Sequence, residues 1–304
     1  MPDSTNRSLK IPSESSYEMI PSISTGVFPE LELEEEIKRL AEIGWRCVEI
    51  NLGSPKFDEG KASRIAKLCE KLGISIIQVH GRNPGMARRS EEERSKFMRQ
   101  AKESIVWAGE LGARWVVLHP SNRKAGYRTL EALNDVKRSN LEGFLELLEV
   151  AEVTGVGIAI ENLPPILHDS MPGERIFGAD PYELLWLVKS IDSKRIGICL
   201  DTNHIIPSIQ GFDQYQVIKI IGHYLVATHI SDNDGFREQH LLPFMGKIDW
   251  NAVVRGLKEI EYRGAFNLEV HFTRIPLKLR GALLSYALRL VNELIKDQVQ
   301  NSLP

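Results

Sequence analysis

The sequence predicts an α/β fold, a single-domain (β/α)8 barrel, on three observations. Short apolar runs alternate with longer amphipathic segments along the chain, eight such strand–helix units follow one another, and several of the strands are apolar throughout. Strict alternation of strand and helix is the pattern of a parallel sheet. Runs rich in Val and Ile with no polar face are the strands such a sheet buries between helices. Eight units favour the closed TIM barrel over an open doubly wound sheet, which is the second choice. A barrel of this kind takes about 250 residues as one domain, and the chain has 304. No GxGxxG or GxxxxGKS/T follows a strand, so the phosphate-loop folds lack their main signal.

The elements can be justified in order. The first apolar run is Met19–Ser24, and in the following LELEEEIKRLAEIG the residues Leu33, Ile37, Leu40 and Gly44 fall at helical spacing. WRCVEINLG is the second strand, and the helix behind it stops at Gly73. ISIIQVHG is the third strand, after which Ser90 and Glu93 make a capping-box pattern that opens the third helix. ARWVVLHP is the fourth strand, with a long helix behind it from about Leu130 to Thr154. VGIAIEN is the fifth, and Asp180-Pro181-Tyr182-Glu183 supplies an N-cap, a proline at the first helical position and an acidic first turn. RIGICLD is the sixth strand. YLVATHISD is the seventh, followed by a long polar loop and a helix opening near Asp249. AFNLEV is the eighth, and a last amphipathic helix runs from about Pro276 to Ile295. Residues 1–17, polar and Ser-rich, read as a flexible N-terminal arm, which leaves 18–304 to the barrel.

Composition narrows the function classes. Hydrophobic residues make up 42% and charged residues 26%, the profile of a soluble globular protein. No stretch approaches the roughly 20 apolar residues of a membrane span, and the N-terminus lacks the apolar centre of a signal peptide. Cys47, Cys69 and Cys199 are odd in number and far apart, which argues against a disulfide framework or a structural zinc knuckle. Cys47 and Cys199 read as core fillers, and this cysteine usage suits a reducing, cytoplasmic setting. A net charge of −3 gives no global basic field for nucleic acid, so no nucleic-acid partner is expected.

The informative feature is where the polar residues fall. The third strand ends in His80, the fourth in His119, the fifth in Glu161 and the sixth in Asp201, with His204 three residues on. The seventh carries His229 followed by Asp232, and the eighth carries Glu269 with His271 beyond it. Glu238-Gln239-His240 lies in the loop after the seventh strand. All eight C-terminal strand ends of a barrel converge on one mouth, so these residues are expected to face one another. Taken singly, each has a plainer role: a hydrogen-bonded packing histidine, or a carboxylate capping the next helix. Taken together they do not, because burying several carboxylates side by side is costly unless a cation or protons neutralise them. His168 and His223 read as surface or core residues. Loops at the same mouth carry Arg82, Arg88, Arg89, Arg123, Lys124, Arg128, Arg237 and Lys247, and positive charge around a metal cleft suits an anionic or polyhydroxylated substrate.

VLHP, IENLPP, CLDTNH, HISDNDG, EQHLLPFMGKIDW and LEV together resemble the xylose-isomerase-like barrel superfamily over about residues 18–295. Its members include ketose epimerases, inosose dehydratases, hydroxypyruvate isomerases and endonuclease IV. The resemblance implies a metal held by Glu161, Asp201, His229 and Glu269, with Glu161 and Glu269 exchanging protons with the substrate carbon. It places His204 against the substrate; His80, His119, Arg237 and His240, by their position at the mouth, are further candidate substrate-binding residues. The implied activity is a divalent-metal-dependent sugar, polyol or keto-inositol isomerase or epimerase, or a related dehydratase. It would abstract a proton next to a metal-bound carbonyl of a small sugar-like substrate; a homo-oligomer is compatible with this reading.

Three carboxylates and one histidine suit Mn2+ or Mg2+, whereas more histidines favour Zn2+. The rival reading is an endonuclease IV-like multi-zinc phosphodiesterase acting on abasic DNA. His80 and His119 match the extra histidines of that subgroup, but its Asp-x-His pair reads Glu238-x-His240 here. The fifth strand also departs from the ketose 3-epimerases, reading ENLPP where an E-x-x-N-R-type run is usual.

Overall fold

The computed structural model describes residues 19–87, 90–122, 127–166, 173–272 and 274–296. The expected N-terminal arm, Arg88, Arg89, Arg123, Lys124 and His168 lie outside the described residues.

Strands and helices alternate along the chain. They run β1 (Ile20–Ser24), α1 (Leu33–Ile43), β2 (Val48–Asn51), α2 (Ala62–Leu72), β3 (Gln78–His80), α3 (Glu91–Glu110), β4 (Trp115–Leu118), α4 (Leu130–Thr154) and β5 (Gly157–Glu161). Then come α5 (Pro181–Ile191), β6 (Ile196–Asp201), α6 (Pro207–Gln210), α7 (Gln214–Ile221), β7 (Leu225–His229), α8 (Trp250–Glu259), β8 (Ala265–Leu268) and α9 (Leu277–Lys296). Consecutive strands pair in parallel from β1 to β7, and β8 pairs in parallel with β1. The ring shuts between β7 and β8, where the Ile230 N–H donates to Asn267 O at 2.7 Å and the Glu269 N–H to Ile230 O at 3.1 Å. The chain is thus a single-domain TIM barrel, as its alternation predicts.

Local chemistry sets the boundaries. Helices α1 and α2 end at Gly44 (φ 116°) and Gly73 (φ 66°), left-handed conformations that a residue with a Cβ adopts only at a cost. Ser90 accepts from the Glu93 N–H, Thr129 from Ala132 and Asp180 from Tyr182, each satisfying an N–H that the first helical turn leaves open. Between β6 and β7 the structure adds two helices that the strand reading does not name; α7 begins with a reciprocal capping box between Asp213 and Gln216. Among the described residues, no helix is long and apolar enough to cross a membrane.

Period-two alternation sorts each strand into two faces. Ile23, Val48, Ile50, Val79, Val116, Leu118, Ile158, Ile160, Ile198, Leu200, Phe266 and Leu268 point outward into the main core beneath the helices. Each fully buried aliphatic side chain there contributes about 1.5–3 kcal/mol. Trp115, Val117, Ala159, Cys199 and Ala227 form a separate buried cluster within the ring. Gly157 leaves room for its largest member, since a Cβ there would meet the Trp115 ring at 2.2 Å. The same parity carried upward gives His119, Glu161, Asp201 and His229, so the site is the top interior layer of the barrel. Cys47 and Cys199 are buried and free, as is Cys69.

Candidate metal centre

Each strand of one half of the ring delivers one group to this layer. Glu161, Asp201 and His229 close β5, β6 and β7, and Glu269 follows β8 directly. One ligand-type atom from each of these four residues lies within 4.8 Å of the others. The His229 Nδ1 is 3.1 Å from Glu161 Oε1 and 3.3 Å from Glu269 Oε2. Glu161 Oε2, Asp201 Oδ2 and His229 Nδ1 are buried and make no hydrogen bond. Orphaned buried polar atoms are uncommon and costly; three of them aimed into one cluster, with carboxylate and imidazole donors, fit a divalent cation.

Two further groups share the mouth. His80 Nε2 and His119 Nε2 stand 3.5 Å and 3.1 Å from Glu161 Oε2. His204 Nε2 stands 3.2 Å from Asp201 Oδ2 and 3.6 Å from Glu238 Oε1, and His240 Nε2 is 2.8 Å from Glu238 Oε1. His80–His119–Glu161 and His204–Glu238–His240 are each compact enough to hold an ion of their own. In three of these rings the opposite nitrogen is fixed by a backbone carbonyl. His80 Nδ1 faces Gly81 O at 3.0 Å, His204 Nδ1 faces Asn162 O at 2.8 Å and His240 Nδ1 faces Glu269 O at 3.0 Å. A carbonyl only accepts, so Nδ1 carries a proton and Nε2 is the nitrogen turned to the carboxylates, with a lone pair for a cation once it is deprotonated, the arrangement second-layer partners impose on metal-binding histidines.

Where no cation balances the carboxylates, protons do. Burial disfavours charge on His80, yet the Glu161 carboxylate pushes it up to about 9. Against the same burial, Asp201 carries His204 up to about 10 and Glu238 carries His240 up to about 9. Burial raises Glu161 less than the imidazoles of His229 and His119 lower it, so it stays well below the usual carboxylate range. Asp201 is pushed up to about 6, by burial first.

The motifs surrounding these residues prove to be wiring. Asn162 Oδ1 accepts from the Asp201 N–H at 2.7 Å and its Nδ2 donates to Asp201 O at 3.0 Å. Asn203 Oδ1 accepts from the backbone N–H groups of Gln239 and His240, at 3.0 and 3.2 Å. Buried Asp232 accepts four bonds, from the Asn233, Gly246 and Ile248 N–H groups and from Trp250 Nε1. It thereby closes the loop that carries Glu238 and His240.

The expected site residues do not all meet. Glu161, Asp201, His229, Glu269, His80, His119, His204 and His240 converge. Arg237 stands apart, its side chain 75% exposed and paired with Asp234 at 3.3 Å. His223 lies on a 3-10 turn with its ring against Tyr224, and His271 packs on His240 at 4.2 Å. Sequence reasoning misses Glu49, Gln78, Asn162 and Asn203. For Glu49 a signal exists: a lone carboxylate inside the apolar run CVEI has nowhere to point but the barrel interior. A cavity of about 830 Å³ opens beside His80, lined by Asn51, Ser54, Arg82, Asn83 and Gln100 among others.

Comparison with known proteins agrees with the barrel fold. A family model described as xylose isomerase-like TIM barrel matches residues 37–289. An uncharacterized protein of Methanocaldococcus jannaschii is 27% identical over 91% of this chain and 92% of its own length. The fructoselysine 3-epimerase of Shigella flexneri is 24% identical over 82% of this chain and 90% of its own. The crystal structure of a D-tagatose 3-epimerase-like protein superposes with a TM-score of 0.76 at 24% identity, covering 93% of this chain and 100% of that one.

Proposed function

The chain belongs to the xylose isomerase-like TIM barrel family, and on that premise we propose that it is a divalent-metal-dependent isomerase or epimerase of a sugar or related keto-polyol. The observation that carries the reading is the convergence of Glu161, Asp201, His229 and Glu269 with three of their buried polar atoms unpaired. The names of the fructoselysine and D-tagatose relatives support a sugar-like substrate.

Glu161, Asp201, His229 and Glu269 would hold the cation, as Mn2+, Mg2+ or Zn2+. When bound, it polarises a substrate carbonyl and acidifies the adjacent C–H. Glu161 and Glu269 form the acid/base pair. They rise from strands three places apart around the ring, so their carboxylates reach a bound carbon from different sides, and one removes the proton while the other returns it. Glu161 is buried, whereas the Glu269 side chain is 22% exposed, which lets Glu269 meet solvent-borne substrate. His80, His119, His204 and His240 line the mouth as hydroxyl-binding groups. In the cavity beside His80, Asn51 and Asn83 each spend their carbonyl oxygen on a backbone N–H, leaving their amide NH2 groups for sugar hydroxyls. The test is deuterium uptake from D2O into a panel of keto-sugars and keto-inositols, read by NMR on metal-loaded protein. Turnover without deuterium at the carbon beside the carbonyl excludes the proton-transfer reading.

A second reading is favoured by one observation: besides the four-residue cluster, His80–His119–Glu161 and His204–Glu238–His240 could each hold an ion at this mouth, and the first of them shares Glu161 with that cluster. That suits a multi-zinc phosphodiesterase of abasic DNA. Metal stoichiometry separates the two, one ion per chain supporting the isomerase and two or three the hydrolase. EDTA-sensitive nicking of an abasic duplex by the pure protein would reverse the ranking.

A further inference from the structure

Glu49 belongs to none of the ligand groups at the mouth, yet it is 1% exposed and lies beneath them on β2. Burying an ionised carboxylate costs several kcal/mol unless its oxygens are satisfied. Here they are. Ser24 Oγ donates to Oε1 at 2.7 Å, and Gln78 Nε2 donates to Oε2 at 2.6 Å. The third donor comes from the far side of the ring, where His229 Nε2 stands 2.8 Å from the same Oε2. The donors are themselves anchored: Asn267 Nδ2 donates to Ser24 Oγ at 2.8 Å, and Gln78 Nε2 also reaches Thr228 O at 3.2 Å.

We propose that Glu49 is a positioning residue that fixes the His229 ring so that Nδ1, and not Nε2, is presented to the metal. A neutral imidazole has one N–H and one lone pair. Glu49, ionised, only accepts, so the hydrogen sits on Nε2 and the lone pair on Nδ1. Nδ1 faces Glu161 Oε1 and Glu269 Oε2 at 3.1 and 3.3 Å. Nδ1 is buried and makes no hydrogen bond, so a cation between it and the two carboxylates would complete this arrangement. The ring has little freedom to tilt out of it, because His80 stacks on it with centroids 5.5 Å apart and planes 9° from parallel. A carboxylate behind a metal-bound histidine also raises the basicity of the ligating nitrogen. The inference rests on the metal centre and not on the identity of the sugar.

The probe is Zn2+ alone, with two readouts that need no substrate. In zinc-loaded wild-type protein carrying ¹⁵N-histidine, long-range ¹H–¹⁵N spectra are expected to show His229 protonated at Nε2 and metal-bound at Nδ1. In competition with a chromophoric chelator, Glu49→Ala is expected to bind Zn2+ about 10–100-fold more weakly. Glu49→Gln, whose amide oxygen can still accept from His229, is expected to lose less. Zinc on Nε2 of His229 overturns the proposal, as does a folded Glu49→Ala protein with wild-type zinc affinity. Should Glu49→Ala not fold, the wild-type spectrum decides alone. Wild-type protein that binds no zinc overturns the metal centre itself along with this inference, whereas zinc binding indifferent to Glu49 overturns only the inference.

Discussion

Asn162 and Asp201 are joined by a reciprocal pair of hydrogen bonds between neighbouring strand ends: the Asp201 N–H donates to Asn162 Oδ1 at 2.7 Å, and Asn162 Nδ2 donates to Asp201 O at 3.0 Å. The pair sets where β6 ends and so where the Asp201 carboxylate stands. Asn162 is 3% exposed, so Asn162→Ala leaves a buried N–H and C=O without partners, at about 1–3 kcal/mol each in the worst case. Thermal unfolding should register that loss. Metal affinity should fall by about tenfold or more through the displaced Asp201. Full metal affinity in a destabilised variant would restrict Asn162 to a structural role.

Asp201→Asn and His229→Ala should strip the metal while the barrel persists, because the main hydrophobic core lies outside the ring and does not include them. Elemental analysis after gel filtration, beside far-UV circular dichroism, checks both halves of this expectation. Full occupancy in either variant contradicts the ligand assignment.

Glu161→Gln and Glu269→Gln keep shape and remove a proton acceptor. Each should lower turnover of any accepted keto-sugar by about 10²–10⁴-fold, the usual contribution of a positioned acid or base. Since both are proposed ligands, metal content is measured in the same samples. A Glu269→Gln protein that retains metal and wild-type turnover removes Glu269 from the acid/base pair.

Stability of the metal-free protein should depend on pH through the histidines. Against burial, neighbouring carboxylates raise His80 and His240 to about 9 and His204 to about 10 in the folded state. The ordinary histidine value is about 6.5. A raised folded value means stability that is fully present below the unfolded value and lost as pH rises through the folded one. EDTA-treated protein should therefore lose thermal stability between about pH 7 and 10. Glu161 runs the other way: burial opposes its charge, His229 and His119 favour it more, and its contribution fades in acid. A metal held by Glu161, Asp201, His229 and Glu269 would neutralise the carboxylates that otherwise hold the imidazole protons, so loaded protein should show a flatter alkaline limb. Identical melting curves across that range, with and without EDTA, are the contrary result.

Asp232 closes the loop after β7 by accepting from Asn233, Gly246, Ile248 and Trp250. Gly246 must lack a side chain for this, since a Cβ there would lie 2.3 Å from Asp232 Oδ1. Asp232→Ala strands several donors, each costing about 1–3 kcal/mol if it stays buried, and the loop should open in response. Phe236, 75% exposed at its tip, gives chymotrypsin a reporter: cleavage there should accelerate while the barrel keeps its far-UV spectrum. Cleavage at the wild-type rate would show that the loop is held by other contacts.

The barrel was legible in the sequence because its signals are local. Apolar strand runs, Gly73 at a helix end and the Asp180-Pro181 start each act over a few residues, and eight repeats of one unit leave little choice of topology. The convergence of Glu161, Asp201, His229 and Glu269 was legible for a related reason: in a parallel barrel every strand end shares one mouth. Sequence could not decide which neighbour holds which group. That depends on pairs such as Glu49 with His229, 180 positions apart, and on the Asn203 bonds that fix His240 from another loop. Hydrogen bonds form over about 3 Å, and only closing the ring brings β2 across to β7. Arg237 shows the converse limit, for loop position alone placed it at the mouth and its pairing with Asp234 turned it to solvent. The sequence by itself determined the scaffold and the inventory of ligand-type side chains. The tertiary structure decided the ring nitrogen each histidine presents and the buried carboxylate that stands behind His229.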